Sequence, residues 1–412
     1  MYEQLVSITD YVLNDIDPFA GGVERLRQMA GVLRKMHWRE RRPLYALLQE
    51  FVARMPDLPA SDIDFGGESA SRCIWYRIHG VKSPDKTLGE LSVDQTDILI
   101  LNLLDDSQLE TLWQERNIDF SYSTEISRDA AAEPTLLRFR ADCYFDMGNL
   151  ALNMRHIVGE IRPFRELEFH ANVARVLSLQ HVKMGLVLVT GITGSGKSST
   201  LDTIIDANNK TVDAHVIIIA SPIETIHKSQ RCIIRHREVG RDVKSFKDGA
   251  VQSLRQDPDI IIIGEMRDPE TIITALDITD SGHKVFSTLH TASAVESIDR
   301  IVAEVPEIEQ VRVRLRLADV LQCIISQKLV PTLDGKRCLA KEVLLMNASV
   351  RAAIRNNNTG EIYQMIHESN ADGMITIEQD LRRLVAARRI APQTALDYAN
   401  NKKRMQELLA GM

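Results

Sequence analysis

The residues best suited to chemistry lie in the run Gly191-Ile192-Thr193-Gly194-Ser195-Gly196-Lys197-Ser198-Ser199. Three glycines at this spacing let the backbone curl with its N–H groups turned inward, a shape that receives phosphate oxygens. The Lys197 amine would neutralise β- and γ-phosphates, and the Ser198 hydroxyl is a hard oxygen donor placed for Mg²⁺. An apolar, β-branched run, Gly185 to Thr190, precedes the curl and reads as a buried strand. A segment with helical spacing follows, through Asn209. Strand, glycine loop and helix N-terminus are the context in which this pattern binds a triphosphate such as ATP.

Three further stretches carry candidate groups. Asp257-Pro-Asp-Ile-Ile-Ile-Ile-Gly-Glu265-Met-Arg-Asp268 puts a carboxylate just beyond a strand of four isoleucines. Ligands of open α/β sheets bind at that strand end, so Glu265 is expected to hold Mg²⁺ through its water shell. His215 to Ala220 is another apolar strand, followed by Ser221-Pro222-Ile223-Glu224. Glu224 is a candidate to orient or deprotonate an attacking water; on its own residues it reads first as an exposed loop glutamate. Ser281-Gly-His283-Lys-Val-Phe-Ser-Thr-Leu-His290-Thr291 places His290 after a buried strand, within reach of a γ-phosphate. His283 stays open between a phosphate contact and a structural role.

The elements that must position these groups follow from patterning. The strands at 186–190, 215–219, 260–263 and 284–289 are near-continuous Val/Ile runs, which predicts a parallel sheet buried on both faces. Residues 57–157 differ. Ile74, Tyr76 and Ile78 alternate with polar residues, as do Leu137, Phe139, Ala141 and Cys143, and then Leu150, Leu152 and Met154. Period-two patterns with a turn at Gly148-Asn149 predict antiparallel strands with one wet face, and helices are expected near 93–104 and 107–116. Residues 1–56 read as a helical extension containing a basic cluster, Arg34, Lys35, Arg39, Arg41 and Arg42, which is either a docking patch or a solvated face. Gly159 and Pro163 mark a hinge linker at 158–166, and residues 348–412 are helical again.

With 412 residues the chain is expected to form two or three domains. A formal net charge of −7 argues against nucleic acid as a partner. Five cysteines without a Cys-x-x-Cys pair fit a reduced, cytoplasmic protein rather than disulfides or a zinc site. No leader pattern opens the sequence and no apolar run approaches the ~20 residues that span a bilayer, so no direct membrane insertion is expected.

Taken in order, the glycine curl, Ser-Pro-Ile-Glu224, Gly264-Glu265-Met266-Arg267-Asp268 and Thr288-Leu-His290-Thr291 resemble the boxes of the type II/IV secretion ATPase superfamily. The likeness runs from about residue 60 to about 400. Within the superfamily the chain is most similar to the type IV pilus retraction branch, because Ser349-Val-Arg-Ala-Ala-Ile-Arg355 resembles a segment associated with retraction motors. The four-cysteine zinc module of assembly relatives has no counterpart in Cys323 and Cys338.

The resemblance implies a RecA-like P-loop ATPase core (167–347), a PAS-like α+β domain (57–157), and a homohexamer that binds ATP near the junction of neighbouring protomers. It makes Lys197 and Ser198 the Walker A residues, Glu265 the Walker B glutamate and Glu224 the catalytic glutamate. His283 and His290 fall in the His box, while Arg138, Arg140 and Arg155 become candidates for phosphate or inter-subunit contacts. The implied function is pilus retraction from the cytoplasmic side of the inner membrane, acting on an inner-membrane platform protein, with a paired motor ATPase as a further expected partner. A type IVB secretion or conjugation ATPase, or a weakly active accessory subunit, are the alternatives. Three departures stand out: Ala220-Ser221 replace the Glu-Asp that opens the family's Asp box, Gly148 stands where many relatives carry arginine, and residues 1–56 have no counterpart in the common family member.

Overall fold

The computed structural model describes residues 2–70, 72–127, 134–157 and 161–412. Residues 158–160 of the expected hinge linker, and Ser71, lie outside the described residues; Phe164–Leu167 forms a 3-10 turn. The chain divides into two units, Met1–Val158 and Gly159–Met412.

In the first unit the helices are α1 (Tyr2–Asn14), α2 (Gly22–Lys35), α3 (Trp38–Ala53), α4 (Val93–Leu103) and α5 (Asp106–Glu115). The strands are β1 (Ala60–Gly66), β2 (Trp75–Ile78), β3 (Val81–Pro84), β4 (Asn117–Ile126), β5 (Thr135–Asp146) and β6 (Asn149–His156). Among the described residues they form an antiparallel sheet in the order β3-β2-β1-β6-β5-β4. The helix starts are built from local sequence: Ser92 and Asp105 each accept from the third residue on, and Gln95 and Gln108 return the bond to the cap.

The turn between β5 and β6 is Met147-Gly148, one residue earlier than Gly148-Asn149. Both residues have positive φ, +50° and +89°, the conformation that tight hairpins require. Helices form over 1–56 as expected, but they are not an appendage. Leu26, Met29, Leu44, Leu47 and Phe51 share one core with Ile63, Phe65, Ile98 and Phe139. Two members of the basic cluster are tied to neighbouring helices: Arg34 pairs with the exposed Asp106 of α5 at 2.9 Å, and Arg41 reaches Asn102 of α4 at 3.4 Å.

The second unit holds β7 (Gly185–Thr190), β8 (Ala214–Ala220), β9 (Cys232–Glu238), β10 (Ile260–Ile263), β11 (Lys284–Leu289), β12 (Leu321–Pro331) and β13 (Arg337–Leu345). Its helices are α6 (Ala171–Leu177), α7 (Lys197–Thr211), α8 (Phe246–Ser253), α9 (Pro269–Asp280), α10 (Ala294–Glu304), α11 (Glu307–Val320), α12 (Ala348–Arg355), α13 (Ile362–Glu368), α14 (Ile377–Ala386), α15 (Pro392–Tyr398) and α16 (Lys402–Ala410). The sheet order is β13-β12-β7-β11-β10-β8-β9. From β12 to β9 neighbours run parallel, as the apolar runs predict.

The β12–β13 hairpin is a feature the apolar runs do not predict, and it makes the sheet mixed. Ser326-Gln327-Lys328 interrupts the apolar run by which buried strands are recognised. Each of the four isoleucines of β10 is buried, and each such side chain contributes roughly 1.5–3 kcal/mol of apolar burial. The C-terminal helices close a smaller core in which Leu381, Leu384 and Ile390 pack with Val330 and Cys338 of the hairpin.

Candidate nucleotide site

The parallel strands β7, β8, β10 and β11 all end at one edge of the sheet, and hydrogen bonds lace those ends together. Gly191 N donates to Leu289 O at 3.2 Å, Gly264 N to Ile219 O at 2.8 Å, and Met266 N to Thr288 O at 3.3 Å. The Thr288 hydroxyl donates to Gly264 O at 2.6 Å. The loops carrying the glycine curl, Glu224, Glu265 and His290 therefore leave a common, braced edge, where open α/β sheets bind ligands.

The curl between β7 and α7 depends on its glycines for two reasons. A Cβ at Gly191 would meet the Gln327 carbonyl oxygen at 2.5 Å, so the loop lies directly against β12. Gly196 has φ +87° and caps α7, aiming the free N–H groups of the first helical turn back into the curl. Lys197 Nζ bridges the loop, donating to the carbonyls of Gly191 at 2.8 Å and Ile192 at 3.2 Å.

The electrostatics locate the acids. Burial pulls the Lys197 ammonium below the ordinary lysine range, while the charges of Glu265 and then Glu224 hold it up. Both carboxylates that the sequence nominates thus act on the one lysine. Glu265 Oε1 lies 3.0 Å from His290 Nε2 and 2.6 Å from Arg267 Nε. The His290 imidazole is pushed below its usual range by burial and then by Lys197, with Glu265 pulling the other way. A neutral His290 whose Nε2–H donates a hydrogen bond to Glu265 Oε1 satisfies both groups; that tautomer is assigned from the contact.

His283 flanks the other end of its strand, and the three nominated arginines belong to the first unit. His283 precedes β11 at the edge opposite His290, a strand of six residues away, or roughly 20 Å. Its Nδ1 is 2.9 Å from Ser281 Oγ, which fits the structural role; it is not part of the site of its own chain. Arg140 forks onto Asp119 within the first unit, and Arg155 pairs with Asp62 at 2.9 Å. Arg138 lies on β5 beside them. Two members of the Gly-Glu-Met-Arg-Asp box are structural: Met266 is buried, and Asp268 caps α9 by accepting from Thr271 N at 2.8 Å.

Sequence reasoning missed Gln327. It is buried on β12, and its Nε2 donates to Ser195 O at 2.8 Å, across the sheet from the curl. Among the described residues, the Ser195 hydroxyl and Gln327 Oε1 are both buried with no hydrogen-bond partner. Only the pairing of β12 with β7 brings this glutamine to the loop, and nothing in the 132-residue separation announces it.

A glycine curl on a helix N-terminus, a lysine inside it and two carboxylates around that lysine define a nucleoside-triphosphate site on an α/β sheet. The chain matches the family described as type II/IV secretion system protein over residues 164–404, and it belongs to that family. It is 36% identical over 330 residues to a twitching motility protein of Neisseria gonorrhoeae, covering 80% of this chain and 85% of that one. It is 36% identical over 312 residues to the type IV pilus retraction ATPase PilT of Pseudomonas aeruginosa, covering 76% and 87%. The solved structure of the pilus retraction motor PilT with bound ADP superposes with a TM-score of 0.76 at 36% identity, covering 87% of this chain and 98% of that one. These likenesses bear out the expected fold, an N-terminal α+β domain followed by a RecA-like ATPase domain.

Proposed function

We propose that this protein is an ATPase motor that drives type IV pilus retraction, working as a homohexamer at the cytoplasmic face of the inner membrane. The observation that carries the ATPase reading is the convergence of Lys197, Glu224 and Glu265 on the glycine curl. The pilus reading is supported by the likeness to PilT over most of both chains.

The chemistry is in-line attack of water on the γ-phosphate, promoted by positioning and charge. The loop N–H groups and Lys197 hold the β- and γ-phosphates. Ser198 and Glu265 are hard oxygen donors at one sheet edge, the donor type that Mg²⁺ accepts beside a triphosphate. When bound, Mg²⁺ supplies charge neutralisation between the two phosphates. Glu224, on the loop after β8, takes the water proton or aims the water. His290 sits against Glu265 and reports a change at the γ-phosphate to the loop that leads into α10. Among the described residues no helix is long and apolar enough to cross a membrane. Force would reach the membrane through an inner-membrane platform protein.

The test combines hydrolysis and phenotype. Purified protein should release phosphate from ATP only with Mg²⁺, and Lys197→Ala should abolish it. Deleting the gene should leave cells with surplus, non-retracting fibres and no surface motility, restored by the wild-type gene but not by Lys197→Ala. Bald cells would point to fibre assembly instead.

A further inference from the structure

The segment that carries Glu224 has no regular secondary structure from Ser221 to Gln230. Just before Glu224, Ile223 is buried and its N–H donates to Glu238 Oε2 at 3.4 Å, which ties that end of the loop to β9. A second tether lies on the other side of Glu224. Asp202, on α7 one turn beyond Lys197-Ser198, accepts from Thr225 Oγ1 at 2.7 Å on one carboxylate oxygen. Its other oxygen lies 3.0 Å from His227 Nε2. Thr225 and His227 immediately follow Glu224 and share a single carboxylate, so both carboxylate oxygens are committed to the same short stretch of loop.

The rest of the loop is fixed in the same sense. His227 is 4% exposed, and its backbone N–H donates to His236 Nε2 of β9 at 3.0 Å. The two imidazoles stack at 6.1 Å with an interplanar angle of 9°. Two turns further along α7, Asn209 accepts from Gln230 N at 3.0 Å and donates to Lys228 O at 2.9 Å. Asp202 and Asn209 are seven residues apart, which places them on one face of the helix. The helix that begins at the phosphate curl therefore also holds the loop that bears the water-handling carboxylate, and it does so nearest Glu224 through Asp202.

We propose that Asp202 is a positioning residue for hydrolysis: it clamps Thr225 and His227 onto α7 and so sets the distance from Glu224 to Lys197. This inference rests on the reading that Glu224 acts on the attacking water. Because Asp202 lies outside the glycine curl, its loss should change turnover rather than nucleotide affinity.

The experiment uses the full-length protein and measures steady-state ATP hydrolysis alongside equilibrium binding of a fluorescent ADP analogue. Asp202→Ala should lower kcat about 10- to 100-fold, the scale expected when a reacting group is displaced by about 1 Å, and leave KM and analogue binding within about twofold. Asp202→Asn keeps one acceptor oxygen and should recover part of the loss. Thr225→Val removes one clamp bond at nearly constant shape, should lower kcat by a smaller factor, and guards against an Asp202 variant that fails to fold. In a Glu224→Gln background Asp202→Ala should add nothing further. The proposal is overturned by unchanged kcat in Asp202→Ala and Thr225→Val, by analogue binding that falls in proportion to kcat, or by an undiminished effect in the Glu224→Gln background. If Glu224→Gln itself turns over at the wild-type rate, the failure belongs to the role of Glu224 and not to the clamp.

Discussion

At the scale of single residues the site is governed by where charges are buried and what braces them. Glu265 carries a formal charge in contact with His290 and Arg267. Glu265→Gln keeps the shape and removes the charge, so phosphate release should fall by about 100-fold or more while nucleotide still binds. Single-turnover assays paired with equilibrium binding separate the two, and wild-type turnover would remove Glu265 from the mechanism. Gln327 acts from beneath the curl. Gln327→Ala leaves the Ser195 carbonyl without its buried donor, a loss of about 1–3 kcal/mol in stability, and ATP affinity should weaken as the loop loosens. Chemical denaturation and nucleotide titration of the same variant would check both; an unchanged midpoint would show the bond to be idle. The residues proposed to hold phosphate were legible in the sequence because glycine, lysine and serine at fixed spacing already encode a shape. Gln327 was not, because its function depends on a strand neighbour brought in from far along the chain.

At the scale of elements, the central strands carry stability and the hairpin beside them carries a pH response. Ile262 is buried on β10, which pairs with β8 on one side and β11 on the other. Ile262→Ala removes several methyl groups and leaves a cavity, costing about 2–5 kcal/mol in denaturant titration of the ATPase unit. On β13, Glu342 is buried and accepts from Ala294 N at 2.8 Å, tying the hairpin to the start of α10. Burial raises its carboxyl from the ordinary range to about 7. Between those two values the folded state holds a proton that the unfolded chain has released, so stability from this group is lost as pH rises toward 7. Glu342→Gln has no such proton. Its stability relative to wild type should improve from pH 5 to about pH 7 and level off above that, and a pH-independent difference in denaturation midpoints would contradict the assignment. The four parallel strands were readable as uninterrupted apolar runs. The hairpin was not, since its polar residues pair inward with groups that only the fold supplies.

At the scale of the whole molecule, the reading as a ring motor makes a simple demand. Light scattering of the purified protein with nucleotide should give the mass of six chains, and a persistent monomer under all nucleotide conditions would contradict it. Sequence alone determined the nucleotide chemistry, the buried parallel sheet and the likeness to secretion ATPases, because each is written in local spacing or in composition along one strand or loop. Tertiary structure decided which of the candidate groups meet. It brought Glu224, Glu265 and His290 to one edge and left His283 at the other, because the two ends of a single strand, β11, lie at opposite edges of the sheet whatever its residues. It also made the first 56 residues part of a domain core, since a helix with an apolar face takes its partner from the folded surroundings and not from its neighbours in sequence. The two carboxylate oxygens of Asp202 found their partners for the same reason: a hydrogen bond is chosen by distance in space, and spacing along the chain does not report it.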